Sequence, residues 1–444
     1  MDAREQLRII EKGCAELVGR EYLIERLEAG AVLRVKFGMD PTAPDLHLGH
    51  AVVLRKLRQM QDLGHLAVIV LGDATACIGD PTGRSKTRKP MSHGAVLANA
   101  ATYREQLFRI LDPQRTEIRF NMEWLSALSF GEVLKLMAVS TVAQMLERED
   151  FKNRFAAQEA IGLHEFLYPL MQGFDSVALH ADLELGGTDQ RFNILMGRTV
   201  QRRYGQEPQA ALFMPLLEGT DGSEKMSKSL GNQIGIFENP DRMFEKVMSV
   251  PDALILRYFL LCTDEHPDSV ALWERFLAEG ANPRDAKMEL AAIITALYCG
   301  KEAAELAGDR FRRVFHEGGE PDGMPELELD RVSVKHGTVP DLPGEAPEVR
   351  LSGEAPEGRF SGGTPDAGFQ VGIPGFGSVM ADPLSVLVLA GLAGSRGEAR
   401  RLIRQGAVRL HGETLPGEGP IRLKGGDVVR CGKKGFVRMK GAAP

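Results

Sequence analysis

No two of the five cysteines (Cys14, Cys77, Cys262, Cys299 and Cys431) form a CxxC pair. That scatter argues against a structural zinc site and against a disulfide framework, and it fits a reducing, cytoplasmic setting. Long apolar runs are also missing. The longest, near LAVIVLG (66–72), falls far short of the ~18 residues of a membrane span. The N-terminus, MDAREQLRII, has neither a basic start nor an apolar stretch, so no signal peptide is expected.

Basic residues are few in one segment and plentiful in the next. Residues 317–380 carry 12 Asp/Glu against 4 Lys/Arg, whereas 383–444 carry 12 Lys/Arg against 4 Asp/Glu. The overall net charge of −7 hides both. A basic terminal module is a possible nucleic-acid footprint, although charge alone favours a solvated face.

The first half alternates strand and helix. RVKFGM (34–39) suits a buried strand, and HLGHAVVLRKLRQMQDLG (47–64) carries Val53, Leu57 and Met60 at helical spacing. HLAVIVLGD (65–73), EIRFN (117–121), ADLELGG (181–187) and ALFMPLL (211–217) read as strands. Helical patterns fill 92–112, 130–149, 163–179 and 188–205. Such alternation predicts an α/β fold, a parallel sheet with helices on both faces, over 1–230. From 231 to 316 the patterns are helical only, which predicts a separate helical domain. Residues 317–381 read as an acidic linker: 21 of the 64 residues 317–380 are Gly or Pro, and GEAPE occurs twice. Residues 382–444 return to short helices and strands, a small α+β module.

Three stretches carry chemistry. In DPTAPDLHLGH (40–50), His47 and His50 lie three apart at a helix start, so they share a face. A metal site there would need more ligands than Asp40 and Asp45, and none is expected. A strand leading in and a helix leading out make a place where backbone N–H groups attract phosphate, and Gly49 permits close approach. In EKMSKSLGN (224–232), two lysines flank Met226-Ser227 on a loop that could bring both ammonium groups onto a polyphosphate. In LGGTDQR (185–191), a strand ends in two glycines and Asp189 opens a helix, either as a ribose acceptor or as a simple N-cap. A fourth pattern, Tyr168, Gln172 and Asp175, is spaced four and three apart and forms one polar face among apolar neighbours.

HLGH with KMSKS resembles the paired motifs of the class I aminoacyl-tRNA synthetases. With GGTDQ, IGDPTGR (78–84) and the YxxxQxxD of LYPLMQGFD, the chain is similar to the bacterial tyrosyl-tRNA synthetases over nearly its whole length, the linker apart. The resemblance implies a Rossmann-like catalytic domain with a dimerisation insertion near 121–160. An α-helical anticodon-side domain and a basic RNA-binding module would follow. It implies ATP and tyrosine as substrates, tyrosine tRNA as partner, a homodimer, Mg²⁺ on the pyrophosphate and no structural metal.

Carried over by motif, the catalytic groups would be His47, His50, Lys225 and Lys228. ATP would meet these four with Gly38, Asp40, Thr42, Gly49, Gly187, Asp189 and Ser229. Tyrosine would meet Lys36, Thr75, Asp80, Tyr168, Gln172, Asp175 and Gln190, with Asp80 receiving the ammonium and Asp175 the phenol hydroxyl. Arg84, Arg88, Arg396, Arg400, Arg401 and Arg404 would face tRNA. Two departures stand out. Lys36 occupies a position where many members carry tyrosine, and Glu184 one where glutamine is common.

The nearest rival is tryptophan activation on the same fold. A regulatory RNA-binding protein would show broken HLGH or KMSKS motifs, and both are whole here. A small nucleotidyltransferase would lack the KMSKS loop and the basic tail.

Overall fold

The computed structural model describes residues 1–40, 46–78, 103–315, 324–332, 378–432 and 435–441. The chain divides into two compact units, Met1–Gly308 and Asp309–Pro444. Among the described residues no helix is long and apolar enough to cross a membrane.

The first unit is built on a six-stranded sheet. Its strands are β1 (Glu16–Val18), β2 (Arg34–Met39), β3 (Leu66–Leu71), β4 (Thr116–Phe120), β5 (Leu183–Gly187) and β6 (Ala210–Met214), in spatial order β1-β6-β5-β2-β3-β4. β2 to β6 are parallel, as the alternation predicts. β1 was not foreseen. It pairs antiparallel with β6 and places Glu16 opposite Phe213. Three half-buried residues carry no legible alternation, so only the open edge of β6 makes them a strand. β6 is buried throughout, and Ala67–Leu71 of β3 are at most 1% exposed. Such continuous apolar runs belong to strands covered on both faces.

The chain runs outward from β2 through β3 to β4, and on the other side from β5 to β6. β2 and β5 therefore flank the switch point, where an open α/β sheet leaves a crevice beyond its strand ends.

The helical pattern read at 130–149 is three short helices, Phe130–Met137, Val142–Met145 and Glu149–Ala156. Thr141 breaks it: its hydroxyl accepts from the Gln144 N–H, and the Gln144 side chain accepts from the Thr141 N–H. A capping box of this kind starts a new helix rather than continuing the old one.

Helices Pro240–Ser249, Pro267–Ala278 and Pro283–Cys299 each open with proline after an Asn or His cap, where the missing N–H costs nothing. The boundary expected at 231 does not separate two compact units. Asp264 pairs with Arg55 and accepts from Gln59 at 3.1 Å, and Lys12 donates to the Thr263 carbonyl at 2.8 Å. These contacts tie the segment between the helices Ile255–Cys262 and Pro267–Ala278 to Leu48–Asp62 and to Lys12 at the end of Ala3–Glu11.

The second unit holds a five-stranded sheet, a two-stranded sheet and the helices Pro383–Leu389 and Arg396–Arg404. Leu384, Val386, Leu387, Ala399, Ile403, Val429 and Val437 form its core. The linker boundaries need correction. Glu326–Glu328 runs parallel to Gly435–Lys440, and Ser378–Ala381 pairs with Ile421–Lys424. Both segments were read as linker because Gly/Pro-rich sequence surrounds them; their partners lie about 40 to 110 residues on, beyond the reach of local pattern.

Candidate active site

A cavity of about 450 Å³ lies at the switch point, lined by the ends of β2, β3 and β5. Gly38 and Asp40 bound it from β2, Gly187, Asp189 and Gln190 from β5, and Thr75 from the turn after β3. His47, Gly49 and His50 contribute from the start of Leu48–Asp62, and Lys225 from the KMSKS loop. Tyr168, Gln172 and Asp175 project from Leu167–Leu179, so their shared helical face is a wall of this cavity.

Two tethers bring the distant motifs together. Leu48 N–H donates to the Ile234 carbonyl at 2.9 Å and Ile236 N–H to the Leu46 carbonyl at 3.2 Å, so HLGH is stitched to the segment just after KMSKS. Within the loop, Met226 N–H donates to Leu217 at 2.8 Å, and Met226 is 1% exposed. Asn232 is the hub: its Oδ1 accepts from the Ser227 N–H at 2.8 Å, and its amide donates to Asp221 and to the Lys225 carbonyl. Lys225 pairs with Asp189 at 3.5 Å, across the cavity mouth. Lys228 and Ser229 stand on the exposed outer part of the loop, and Ser229 Oγ lies 3.2 Å from Ser227 Oγ.

The His47 and His50 rings sit 3.9 Å apart, and the His47 N–H donates to Nδ1 of His50 at 3.4 Å. Burial pushes the His47 imidazole down to about 3, with His50 and Lys225 opposing its charge further. His50, although exposed at the rim, moves the same way, because surrounding atoms desolvate its charged form and Lys225 repels it. Both are neutral imidazoles near pH 7, hydrogen-bonding groups rather than cations. His47 Nδ1 is buried with no hydrogen-bond partner among the described residues.

The wall around Leu167–Leu179 is extensively hydrogen-bonded. Asp40 accepts from the Tyr168 hydroxyl at 2.9 Å and from the Thr75 hydroxyl at 3.0 Å. Asn121 donates to Thr75 at 3.3 Å and to Asp175 at 3.4 Å, and the Trp124 indole N–H donates to Asp175 at 2.8 Å. Burial raises the Asp175 carboxyl to about 7, against the opposing pull of Lys36, Trp124 and Asn121. Gln172 donates to Glu184 at 3.2 Å, and Gln190 accepts from Asn193 at 2.9 Å. Gly72 leaves no alternative to glycine: a Cβ there would lie 2.1 Å from Thr75 Oγ1 and 2.2 Å from Asp40 Oδ1.

Lys36 departs from expectation. It is 0% exposed and does not line the cavity. Its ammonium is spent on the Gln172 carbonyl, the Ser176 hydroxyl and Glu184, so no donor remains for a substrate. Thr42, Asp80, Arg84 and Arg88 lie outside the described residues. In the second unit, Arg396 is held by Ser385 and Asp382 at 2.8 Å each, an internal role rather than an outward one. Arg400 and Arg404 share Glu418, and Arg401 is exposed beside Glu398.

A larger cavity, about 950 Å³, borders Asp189 and is lined by Arg148, Asp150 and Arg154. Of the motif residues it holds Thr188, Asp189 and Arg191 and none from HLGH, KMSKS or the Tyr168, Gln172 and Asp175 face, so the smaller one is the candidate active site.

Residues 28–316 match the family model of class I tRNA synthetases (W and Y). The chain belongs to that family. Curated relatives include a tyrosine–tRNA ligase of Moorella thermoacetica, 47% identical over 99% of this chain and 96% of the relative. Another, from Thermotoga maritima, is 44% identical over 99% and 98%. Among solved structures, a C-terminally truncated mitochondrial tyrosyl-tRNA synthetase of Aspergillus nidulans superposes with a TM-score of 0.59 at 25% identity, covering 70% of this chain and 94% of the other. Members of this family use ATP, which sets the scale of the cavity against its charge pattern: neutral imidazoles and ammonium groups at the rim, carboxylates within. Asn121, Trp124, Ser176 and Gln209 belong to none of the motifs. They are single polar residues with no local pattern, and only the fold brings them to the site.

Proposed function

We propose that this chain is a tyrosine–tRNA ligase, joining tyrosine to ATP as tyrosyl-adenylate and passing the tyrosyl group to the 3′-terminal ribose of its tRNA. The observation that carries the reading is Asp175: a wholly buried carboxyl on the cavity wall, oriented by Trp124 and Asn121, able to accept from a phenol hydroxyl. Full-length relatives named as tyrosine–tRNA ligases support the same choice.

In the first step the tyrosine carboxylate attacks the α-phosphate of ATP and pyrophosphate leaves. The nucleophile is already ionised, so no general base is needed; rate comes from alignment and from stabilising the charge that spreads over the phosphates. His47 and His50 supply neutral donors from the helix start, and Lys225 and Lys228 supply positive charge from the loop. Asp40 and Asp189 sit where the nucleotide and the ribose would lie. Mg²⁺ would travel on the nucleotide's phosphates; no cluster of three His, Cys, Asp or Glu side chains that could cage it occurs among the described residues. A ribose hydroxyl of the tRNA then attacks the acyl carbon and AMP leaves.

A second copy of this chain is the proposed occupant of an apolar patch on the insertion. Phe130, Val142 and Phe155 within the insertion, and Leu163 just beyond it, are 77%, 62%, 65% and 82% exposed, apolar side chains that a partner could cover. The basic module and Arg84 and Arg88 are the proposed tRNA contacts.

Amino-acid-dependent ATP–pyrophosphate exchange across all twenty amino acids tests the reading. Exchange with tyrosine alone is the expected result; exchange driven by tryptophan would overturn it.

A further inference from the structure

Tyr168, Gln172 and Asp175 owe their positions to one helix, Leu167–Leu179, and that helix rests on a buried ion pair behind the cavity. Lys36 on β2 and Glu184 on β5 are 0% and 1% exposed and lie 3.0 Å apart. The Lys36 ammonium has three donors and meets three acceptors: the Gln172 carbonyl at 2.8 Å, the Ser176 hydroxyl at 2.9 Å and Glu184. Glu184 in turn accepts from the Gln172 amide at 3.2 Å, the Ser176 hydroxyl at 3.1 Å and the Gln209 amide.

Gln172 is thus gripped twice, its backbone carbonyl by Lys36 and its side chain by Glu184. Ser176 is gripped twice as well. Asp175 lies in the single helical turn between them. Room for this arrangement comes from Gly197, where a Cβ would lie 2.9 Å from Gln209 Nε2 and 3.3 Å from Glu184 Oε2. Burying two opposite charges is a poor way to gain stability, since desolvation offsets most of their attraction. Four directed hydrogen bonds converging on one turn of one helix, from a pair held together by its own contact and by Gln209, are instead a way to fix geometry.

We propose that Lys36 and Glu184 are positioning residues for amino-acid selection: they touch no substrate, and they hold Gln172 and Asp175 where a phenol-bearing amino acid is accepted and phenylalanine is not. The proposal rests on the tyrosine reading above.

Among the described residues, the charged groups facing Asp175 are Lys36 and Glu184; Trp124 and Asn121 present neutral donors, and Asp40 is linked to it through Thr75 and Asn121. Lys36 favours the ionised carboxyl more than Glu184 opposes it.

The test uses the full chain with Lys36→Met/Glu184→Gln, which removes both charges together and leaves neither stranded. Ser176→Ala serves as a milder second variant. Wild-type exchange is measured first, so that failure of the tyrosine reading, which would show as exchange with a different amino acid, is separated from failure of the positioning role. The expected result for a double variant that still melts cooperatively is a fall of about tenfold or more in the tyrosine-over-phenylalanine ratio of kcat/KM. The loss falls on the KM for tyrosine rather than the KM for ATP. The pH at which tyrosine kcat/KM is half-maximal moves up, because Lys36 no longer opposes protonation of Asp175. Ser176→Ala shifts the ratio in the same direction by less. A folded double variant with the wild-type ratio and pH profile overturns the proposal. If the double variant does not fold, an unchanged ratio in Ser176→Ala overturns it instead.

Discussion

On one wall of the cavity, Tyr168, Asp175 and Gln172 each hold named protein partners, in two hydrogen-bonded sets: one from Asp40 to Trp124, the other from Lys36 to Gln209. At the rim, Lys225 and Lys228 are exposed, and His47 keeps a buried nitrogen without a hydrogen-bond partner among the described residues. Under the proposed function, the same chain uses polar groups in two ways. The groups proposed to select among similar amino acids are held in advance by protein partners, and discrimination would come from leaving a buried acceptor short of a donor when the wrong one binds. The groups proposed to stabilise a developing charge stand at the rim, and their value would appear only in the transition state.

The sharpest way to break this contrast is at the rim. Lys228→Ala should slow single-turnover adenylate formation by about 10²- to 10³-fold. The melting temperature should be unchanged, since the side chain is exposed. A parallel loss of stability would make Lys228 a structural residue.

On the committed wall, Asp175→Asn should lower the tyrosine-over-phenylalanine ratio by about 100-fold, measured by exchange with each amino acid; tyrosyl-tRNA synthetases are already the standing example of such discrimination. The pH dependence sharpens it. Asp175 is raised from the usual 3.8 to about 7 in the folded protein. Its contribution to stability is complete below pH 3.8 and is lost as pH rises through 7, because the folded state holds the proton more tightly. Activity runs the other way: tyrosine kcat/KM should climb through about pH 7 as the carboxylate forms, and Asp175→Asn should flatten that rise.

The smallest effects are expected in the second unit. Arg401→Ala should reduce the salt dependence of tRNA binding by about one unit of slope and leave melting unchanged. Arg396→Ala should do the reverse, lowering the melting temperature through loss of its bonds to Asp382 and Ser385.

Much of this protein is local and so was readable from residues alone. The strands β2, β3 and β5 announce themselves by apolar runs, HLGH and KMSKS by spacing, and the wall residues Tyr168, Gln172 and Asp175 by a helical period. Each of these properties is set within a dozen residues by backbone periodicity. What tertiary structure alone decided depends on contacts between residues far apart in the chain. Three residues after Ala15 become a strand because β6 offers an edge. Trp124 and Asn121 become partners of Asp175 because β4 ends beside its helix. Lys36, which the motif resemblance set among the tyrosine contacts, does not line the cavity, because a lysine on a central strand can bury its charge only where carbonyl, hydroxyl and carboxylate converge, and here they converge behind the cavity.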